Sequence, residues 1–480
     1  LTARKISLRR ISKMIGKIIR STEAVVLLIL ILLSPASSHA QSTKQQLEEL
    51  KKQIEIIQLQ NQKQIEELKK QIESLQLERA ADQEKIAEIK TKQETVDDDA
   101  WYSKFLAKYD KGFVFESSDD KGFQFKTRFA FLAQIQGIVN DTDEELVSTN
   151  FRLRRLELRW DGYAFKPWFY YTFMIDPASS QLLKDMYLTA AYQKEIGPRV
   201  GQWKVPFNRE ELNSSAALQL VERSIVNEQF GLERDRGLAL LGGIGKNNNF
   251  SYSAGVFNGD GLNGTSVDSN LLYVGRIQLG LGGDDFKFNP NSTYATAKGY
   301  EIVPNFARKP TFVAGFGASA LPGLNCDRKT PNGGACDRIA EIGFPQSNFT
   351  QLTGDLSFKM PYFNVEAEYD ARWLAPDSGP QDTAFDQGFR LQAGVFLLPK
   401  TVELAARYAL IDFDTSSGVV PPDTSVPSKQ WELTPGLNYY ISHDHRWKLQ
   451  LDYTFQRNEA TLDAPDVDAN IVRAQIQANF

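Results

Sequence analysis

The chain has 480 residues, of which 42% are hydrophobic and 11% aromatic, and its formal net charge is −5. Residues 1–40 hold seven Lys or Arg side chains and one Glu, so the remainder carries 48 basic against 59 acidic side chains, a net charge of −11. An acidic surplus of this size repels phosphate backbones, which excludes nucleic acid as an expected partner.

The first forty residues have the pattern of an export signal. Basic side chains from Arg4 to Arg20 precede an apolar run at Ala24–Leu33, and Ser-His-Ala at 38–40 fits a small-x-small cleavage site. Ten apolar residues are too few to span a bilayer, which argues against a membrane anchor. We predict a signal peptide over 1–40. Because no other run has the length of a membrane-spanning helix, a helical inner-membrane protein is excluded.

Residues 41–99 are rich in Gln, Glu and Lys, and residues 43–95 contain neither Gly nor Pro. The octapeptide Glu48–Glu55 recurs unchanged as Glu66–Glu73, and an offset of eighteen residues is five helical turns, so both copies present the same face. Apolar residues follow heptad spacing at Leu47, Leu50, Ile54, Ile57, Ile65, Leu68, Ile72, Leu75, Ile86 and Ile89. The pattern predicts a periplasmic coiled coil that ties subunits together; a single solvated helix and a charged disordered tail are the alternatives.

From about residue 121 the apolar period changes to two. In the last segment Val472, Ala474, Ile476, Ala478 and Phe480 form one face, and Arg473, Gln475, Gln477 and Asn479 form the other. About sixteen such runs fit between residues 122 and 480, separated by Pro and Gly-rich turns. A strand with one apolar and one polar face needs a different solvent on each side, and lipid outside with water inside a closed barrel supplies both.

The predicted fold is therefore all-β: a transmembrane antiparallel β-barrel of about 16 strands over 122–480, joined by a linker at 100–121 to the coiled coil. A soluble sandwich also alternates, but its strands are usually shorter. Five tryptophans at predicted strand ends would suit an interfacial girdle: Trp101, Trp168, Trp203, Trp431 and Trp447. We expect Phe480, the terminal aromatic, to take part in barrel assembly.

Three segments in the first half of the predicted barrel are distinctive. They are the cationic run Phe151–Leu158, the run Arg199–Phe207 (Arg-Val-Gly-Gln-Trp-Lys-Val-Pro-Phe), and Glu-Arg-Ser at 222–224. In this order they resemble the phosphate-selective porin O and P family, over roughly residues 110–480. The resemblance implies a sixteen-stranded outer-membrane porin, usually trimeric, that carries anions through an Arg-lined eyelet.

Two positions depart from the strong phosphate binders of that family. The arginine pair is present as Arg154 and Arg155, but Glu157 replaces an aromatic residue and Glu211 replaces a lysine. Two neutral or positive contacts have become carboxylates. This exchange counts against high-affinity phosphate selection, so the family name does not identify the solute.

Candidate pore residues fall into two groups. The first is a cationic wall that would attract anions: Lys126, Arg128, Arg152, Arg154 and Arg155. Because Arg154 and Arg155 are adjacent, they cannot both point inward from a regular strand, and we expect a β-bulge there. Predicted inward acids cluster later in the chain, at Glu366, Glu368, Asp370, Glu403, Glu432 and Asp452, so opposed charges could create a field across the pore.

The second group lies on a connection of about 28 residues, 207–234. It carries Arg209, Glu210, Glu211, Glu222, Arg223 and Arg234. A long loop that folds into a wide barrel narrows the lumen, and its charges then set selectivity. A solvated extracellular loop is the alternative.

The two cysteines, Cys326 and Cys336, lie in one predicted loop, where either a disulfide or two free thiols would fit. No metal site or cofactor is expected. Ser442–His445 contains Ser, Asp and two His in a hairpin turn, but such neighbours seldom form a catalytic triad, so we predict no enzyme.

The sequence thus predicts a passive channel in the outer membrane of a Gram-negative bacterium. Its expected partners are small anionic or polar solutes, outer-membrane lipid and two further copies in a homotrimer. The alternative is a barrel-anchored tether whose coiled coil binds peptidoglycan.

Overall fold

The computed structural model describes most of the chain beyond residue 104. The described ranges are 105–117, 124–142, 145–245, 249–264, 269–282, 287–288, 296–297, 309–324, 326, 335–344, 346–420, 425–461 and 465–480, with isolated positions between 48 and 74. Contacts divide the chain into Leu1–Asp98 and Asp99–Phe480. In the first unit the described positions are helical and exposed, while the predicted signal peptide and heptad seam lie outside the described residues.

The second unit is a closed antiparallel barrel of sixteen strands. Two short strands precede it, β1 (Phe105–Tyr109) and β2 (Phe113–Ser117), and a two-stranded hairpin, β11 (Lys287–Phe288) and β12 (Thr296–Ala297), lies between its eighth and ninth strands. The barrel strands are β3 (Lys126–Thr142), β4 (Glu145–Tyr163), β5 (Phe169–Ile175), β6 (Leu183–Ala190), β7 (Gly197–Lys204), β8 (Arg234–Ile244), β9 (Phe250–Phe257), β10 (Leu272–Gly282), β13 (Thr311–Leu324), β14 (Ser347–Met360), β15 (Phe363–Pro376), β16 (Ala384–Leu398), β17 (Val402–Asp412), β18 (Pro427–Tyr440), β19 (Trp447–Ala460) and β20 (Val467–Asn479).

The barrel closes where its last strand pairs with its first. The β20–β3 register runs from Ala469 opposite Thr142 to Asn479 opposite Leu132. Phe480 continues this seam, because its backbone N–H donates to the Phe131 carbonyl at 2.8 Å and its carbonyl accepts from the Phe131 N–H at 3.0 Å. Closure removes the free sheet edges that a bilayer would leave without hydrogen bonds. The architecture confirms the predicted all-β barrel.

A β-hairpin occupies part of the segment expected to be a linker. β1 pairs with β2, and β2 pairs with the start of β3 from Phe113 opposite Phe129 to Glu116 opposite Lys126. β2 therefore uses the same edge of β3 as β20, just beyond the C-terminal residue.

Side-chain burial is inverted relative to a soluble protein. On β19 the apolar Leu449 and Leu451 are 42% and 49% exposed, whereas the polar Gln450 and Asp452 are 4% and 3% exposed. The strands β14–β20 repeat this alternation. Exposed apolar side chains outside and enclosed polar side chains inside are the arrangement that a barrel in lipid requires. No helix in the described part of the chain is long and apolar enough to cross a membrane.

The two ends of the barrel differ in their connections. One end, here called the turn end, carries Phe480 and, apart from 283–310, short connections: 164–168, 191–196, 245–249, 361–362, 399–401 and 441–446. The opposite end, here called the loop end, carries the short connections 143–144 and 461–466 and six longer ones: 176–182, 205–233, 258–271, 325–346, 377–383 and 413–426. Aromatic pairs lie at the turn end, where Trp168 contacts Tyr192 and Trp447 contacts Phe480.

An apolar cluster fills part of the lumen toward the loop end. It joins residues of connection 205–233, of the helix Ala335–Ile342 and of connection 413–426 to inward side chains of the wall. A disulfide joins Cys326 to Cys336 at the start of that helix. Trp203 belongs to this cluster and is only 3% exposed, so its expected place in the interfacial girdle was wrong. The distorted end of β7 turns its ring inward, against Tyr187 and Phe257.

Candidate functional site

The connection between β7 and β8 folds into the barrel. This inner loop, residues 205–233, contains α1 (Arg209–Leu212), a 3₁₀ turn (Ser215–Ala217) and α2 (Ile225–Phe230). Ser214 and Ser224 cap the last two, since their side chains accept from the N–H groups of Ala216 and Asn227. Most of the loop is buried although it contains many polar and charged residues. The burial is possible because the inward polar faces of the strands supply its hydrogen bonds.

The glycine before the loop has a steric role. Gly201 on β7 has φ +133°, and a Cβ there would lie 2.1 Å from the Met186 carbonyl oxygen. A larger residue would separate β7 from β6 just before the chain turns inward.

The first turn of the inner loop is anchored to strands β14, β15 and β16. Arg209 pairs with Asp355 on β14, and its N–H donates to Glu368 on β15 at 2.6 Å. Glu210 lies 3.1 Å from Nε of Arg390 on β16. Burial opposes ionisation of Glu210, but Arg390 and then Arg407 outweigh it and lower the pKa of this carboxyl. Arg209 and Glu210 are therefore buried wall contacts and do not face open lumen.

Glu211 is neutralised within the loop region. Its carboxylate lies 3.4 Å from Lys204 Nζ and 3.4 Å from Arg223 Nε, and it accepts from Asn227 at 3.2 Å. Burial alone would raise the pKa of Glu211, but Arg223 and then Lys204 lower it to about 2. The carboxylate is buried, so this departure from the family pattern does not add an exposed negative charge.

The middle of the loop is held by inward residues of the late strands. Lys448 donates to the Leu218 carbonyl at 2.7 Å, Gln219 donates to Glu403 at 2.7 Å, and the Val221 N–H donates to Asp452 at 2.7 Å. Inward Glu403 and Asp452, expected to create a field across the pore, instead accept hydrogen bonds from the loop. Each is at most 3% exposed.

The arginine run on β4 contains the expected bulge. Gln134 on β3 pairs with Arg155 and Ile135 pairs with Leu153, which leaves Arg154 as the extra residue. A bulge lets adjacent residues share one side of a sheet. Arg154 and Arg155 consequently both point into the barrel, which confirms that expectation.

Arg152, Arg154 and Arg155 converge on Glu222 of the inner loop. Arg154 Nε lies 2.6 Å from the Glu222 carboxylate, Arg152 Nη2 3.0 Å and Arg155 Nη2 3.8 Å, and Gln136 donates at 3.1 Å. Burial raises the pKa of Glu222, but Arg154 and Arg155 oppose this and bring it to about 2. Three guanidinium groups thus contact one carboxylate.

Exposure separates these arginines. The Arg152 and Arg154 side chains are 40% and 33% exposed, whereas Arg155 is 8% exposed and donates to Gln134 at 2.7 Å. Inward charged residues of β14–β19 are nearly all buried, for example Arg390 at 0% and Glu432 at 3%. Arg152 and Arg154 of β4 therefore reach solvent, whereas the neighbouring inward residues Gln134 and Gln136 of β3 are buried.

The other expected cations have acidic neighbours of their own. Lys126 lies 3.4 Å from Glu116, Arg128 lies 2.7 Å from Asp161, and both pairs are toward the turn end. Arg223 Nε lies 3.4 Å from Glu211, and the same guanidinium donates to the Asn213 carbonyl at 2.9 Å. Arg234, the first residue of β8, lies 2.7 Å from Asp185.

Glu157 is held differently from the arginines beside it. It accepts from Ser215 of the inner loop at 2.9 Å. The loop therefore satisfies this carboxylate through a hydroxyl group.

Several lumen residues were missed at the sequence level. Arg390 of β16 and Arg407 of β17 anchor the inner loop. Glutamines connect β3 and β20 where the barrel closes: Gln134 donates to Gln477 at 2.7 Å and Gln136 to Gln475 at 2.8 Å. The sequence pattern could have identified them as lumen residues, because each lies at an inward position of a strand with period-two alternation. The period-two alternation alone does not show which of the inward residues contact the inner loop.

An apolar exterior, a charged interior and a loop folded into the lumen define a membrane channel of the β-barrel class. The family model for phosphate-selective porin O and P matches residues 125–299 and 401–480, more than half of the chain, and the chain belongs to this family. It is an outer-membrane porin, a channel for small solutes.

Solved structures with similar folds come from several bacteria. An anion-selective porin from Comamonas acidovorans is 12% identical, with 74% of this chain and 100% of that chain covered and a TM-score of 0.45. The outer membrane channel DcaP of Acinetobacter baumannii is 10% identical, with 75% and 99% covered and a TM-score of 0.46. The trimer form of OmpT from Vibrio cholerae is 10% identical, with 73% and 99% covered and a TM-score of 0.46. No curated protein matches the chain.

Proposed function

We propose that this porin passes small anions in preference to cations, and that the inner loop forms its selective constriction. The observation that carries the proposal is the contact of three guanidinium groups with the single carboxylate of Glu222. Two positive charges remain in excess at this point, and the more exposed ones, Arg152 and Arg154, border the solvent-accessible lumen.

The size of this effect supports a preference rather than strict selection. At about 7 Å from a solute, one unit charge contributes about 2 kcal/mol at an effective dielectric of 20, and less in open water. Ions screen such a charge over about 8 Å at physiological salt, a distance comparable to a narrow channel. Glu228 and Glu233 are exposed on the inner loop and oppose the arginines. These two carboxylates equal the two excess positive charges in number, so the expected preference for anions is moderate.

Phosphate is one member of the expected solute class, and the chemistry favours oxyanions in general. Guanidinium groups bind carboxylate and phosphate through the same paired hydrogen bonds. Lys126 and Arg128, each beside a carboxylate, contribute less to the field than Arg152 and Arg154.

Assembly is a separate part of the proposal. The heptad pattern of residues 41–99 supports a parallel coiled coil that helps to hold three barrels together. Deleting residues 43–95 should then reduce the native mass in mild detergent from trimer to monomer while single-channel conductance persists. If the protein is still a trimer after the deletion, the coiled coil is not what holds the three barrels together.

Reversal potentials in planar bilayers test the anion preference. In a potassium chloride gradient the wild-type channel should show a higher permeability for chloride than for potassium. The double variant Arg152→Ala/Arg154→Ala should lower the ratio severalfold, because it removes the two exposed positive charges. The control is Arg446→Ala, which removes an exposed arginine from the turn 441–446. An unchanged ratio in the double variant would refute the proposed selectivity.

A further inference from the structure

The Glu222 carboxylate is surrounded by donors on both of its oxygens. Oε1 accepts from Arg154 Nε at 2.6 Å, from Arg152 Nη2 at 3.0 Å and from Gln136 Nε2 at 3.1 Å. Oε2 accepts from Arg154 Nη2 at 3.1 Å and lies 3.8 Å from Arg155 Nη2. Arg154 thus binds both oxygens at once, the forked arrangement by which arginine recognises free carboxylates and phosphates.

This donor set contains nothing that requires its ligand to be part of the protein. Two guanidinium groups and one amide would bind a diffusing oxyanion with the same hydrogen bonds, and Arg155 would add its charge at a longer distance. The number of positive charges also exceeds the single charge of Glu222, which a more highly charged oxyanion would complement better.

The site is open to the lumen. The side chains of Glu222, Arg154 and Arg152 are 14%, 33% and 40% exposed. The other end of the loop contrasts with this, because Arg209 and Asp355 have no exposed side-chain surface. Water and solutes can therefore approach the Glu222 site while the Arg209 contact stays dry.

The backbone around Glu222 is held without its carboxylate. The Glu222 carbonyl accepts from Arg407 at 2.8 Å, and the preceding N–H, of Val221, donates to Asp452 at 2.7 Å. The side chain can consequently leave its arginines by rotation, with the loop in place.

We infer that Glu222 acts as an internal ligand of an oxyanion site made by Arg152, Arg154, Arg155 and Gln136, and that it competes there with carboxylate and phosphate solutes. A tethered competitor acts at a high effective concentration, of millimolar order or above. Solutes then bind only briefly, which suits a conducting channel because a strongly bound solute would block it. Glu222 thereby sets the specificity of the site. The inference rests on the proposed anion preference and extends it.

Block of chloride current by inorganic phosphate tests the inference. In Glu222→Gln the phosphate concentration for half-block should fall about tenfold or more, because hydrogen bonds to charged groups typically contribute at least that factor. The matched control is Glu228→Gln, which removes one exposed acid from the same loop without touching the site. It should raise the chloride-to-potassium permeability ratio with little change in phosphate block.

A second variant separates the effect of removing the internal ligand from the effect of removing its negative charge. Glu222→Asp keeps the negative charge but shortens the side chain by one methylene, so the carboxylate fits its donors less well. Phosphate block should strengthen in this variant although the net charge of the lumen is unchanged. Folded insertion is checked for each variant by its single-channel conductance, and Glu222→Asp serves alone if Glu222→Gln does not insert.

The outcomes distinguish this inference from the proposed function. Equal phosphate block in Glu222→Gln and Glu228→Gln, together with wild-type block in Glu222→Asp, would overturn the internal-ligand role and leave anion preference intact. A wild-type channel without anion preference would refute the proposed function. Stronger phosphate block in both Glu222 variants would still support the internal ligand in that case.

Discussion

Nε of Arg209 donates to Oδ1 of Asp355 at 2.6 Å across the barrel interior, between residues 146 positions apart in the chain. Neither side chain has exposed surface. Asp355 also accepts from Arg276 of β10, so one carboxylate is shared by an arginine of the loop and one of the wall. A buried carboxylate shared in this way fixes the start of the inner loop, because without it two buried arginines would lose their ion-pair partner.

Asp355→Asn should therefore be strongly destabilising. Breaking a buried ion pair by removing one partner costs about 3–5 kcal/mol. We expect a lower thermal unfolding midpoint and noisier open-channel current, because the loop loses its buried anchor. Asp377→Asn, at the rim of the loop end, is the control and should leave both quantities unchanged. A quiet channel with the wild-type midpoint in Asp355→Asn would contradict the anchoring role.

The two faces of β19 should respond differently to a new charge. Leu451 points outward and is 49% exposed, whereas Gln456 points into the lumen and is half-buried. Arginine on the lipid face near the bilayer midplane costs about 2–4 kcal/mol, while lumen positions tolerate it. Leu451→Arg should thus make folding into lipid vesicles less favourable by about 2–4 kcal/mol, and Gln456→Arg should mainly change ion preference. Equal folding free energies would argue against lipid contact at Leu451.

Acidification should increase the preference for anions. Both side chains keep exposed surface, but partial desolvation raises the pKa of Glu228 and Glu233 above the usual 4.5, and the neighbouring carboxylates of Glu432 and Glu211 add to the respective shifts. The pKa of Glu222 is about 2, so this residue stays ionised when the other two take up protons. As pH falls from neutral toward 4.5, the lumen loses negative charge and becomes more positive.

Reversal potentials measured across this pH range check the expectation. The ratio of chloride to potassium permeability should rise as pH falls. In Glu228→Gln/Glu233→Gln the ratio should already be high at neutral pH and nearly independent of pH. An undiminished pH dependence in that double variant would assign the titration to other groups.

Loss of the disulfide should have a local effect. Cys326 and Cys336 are ten residues apart, and closing so short a loop contributes about 2–3 kcal/mol to the segment it constrains. Cys326→Ser/Cys336→Ser should speed hydrogen exchange in the helix Ala335–Ile342. The unfolding midpoint of the barrel should stay the same, because sixteen paired strands hold it. A large fall in that midpoint would show that the disulfide supports the whole barrel.

The sequence was sufficient to predict the β-barrel. Alternation such as Leu449–Gln450–Leu451–Asp452, repeated in long strands of an exported chain, favours a membrane barrel over a soluble sandwich, because each face matches one solvent. Counting these runs predicted the number of strands. The adjacency of Arg154 and Arg155 predicted a bulge, because a regular strand cannot turn neighbours to the same side.

The lining of the site followed less directly from the sequence. The six charged residues singled out on the long connection do not share one environment: Arg209, Glu210 and Glu211 are buried, while Glu222 reaches the open lumen. Similarly, Arg155 is covered while its neighbour Arg154 is partly exposed. Charge and residue type could not distinguish these outcomes, because each depends on contacts between segments far apart in the chain.

The sequence by itself determined the barrel strands, most of their inward and outward faces and the membership of the porin family, because these follow from local periodicity and motifs. Only the tertiary structure decided that Glu222 meets three arginines of β4 and that the late wall is covered by the inner loop. The physical reason is distance along the chain. A period of two fixes the direction of a side chain, but the partner it meets across a lumen depends on how the barrel closes and where the loop folds.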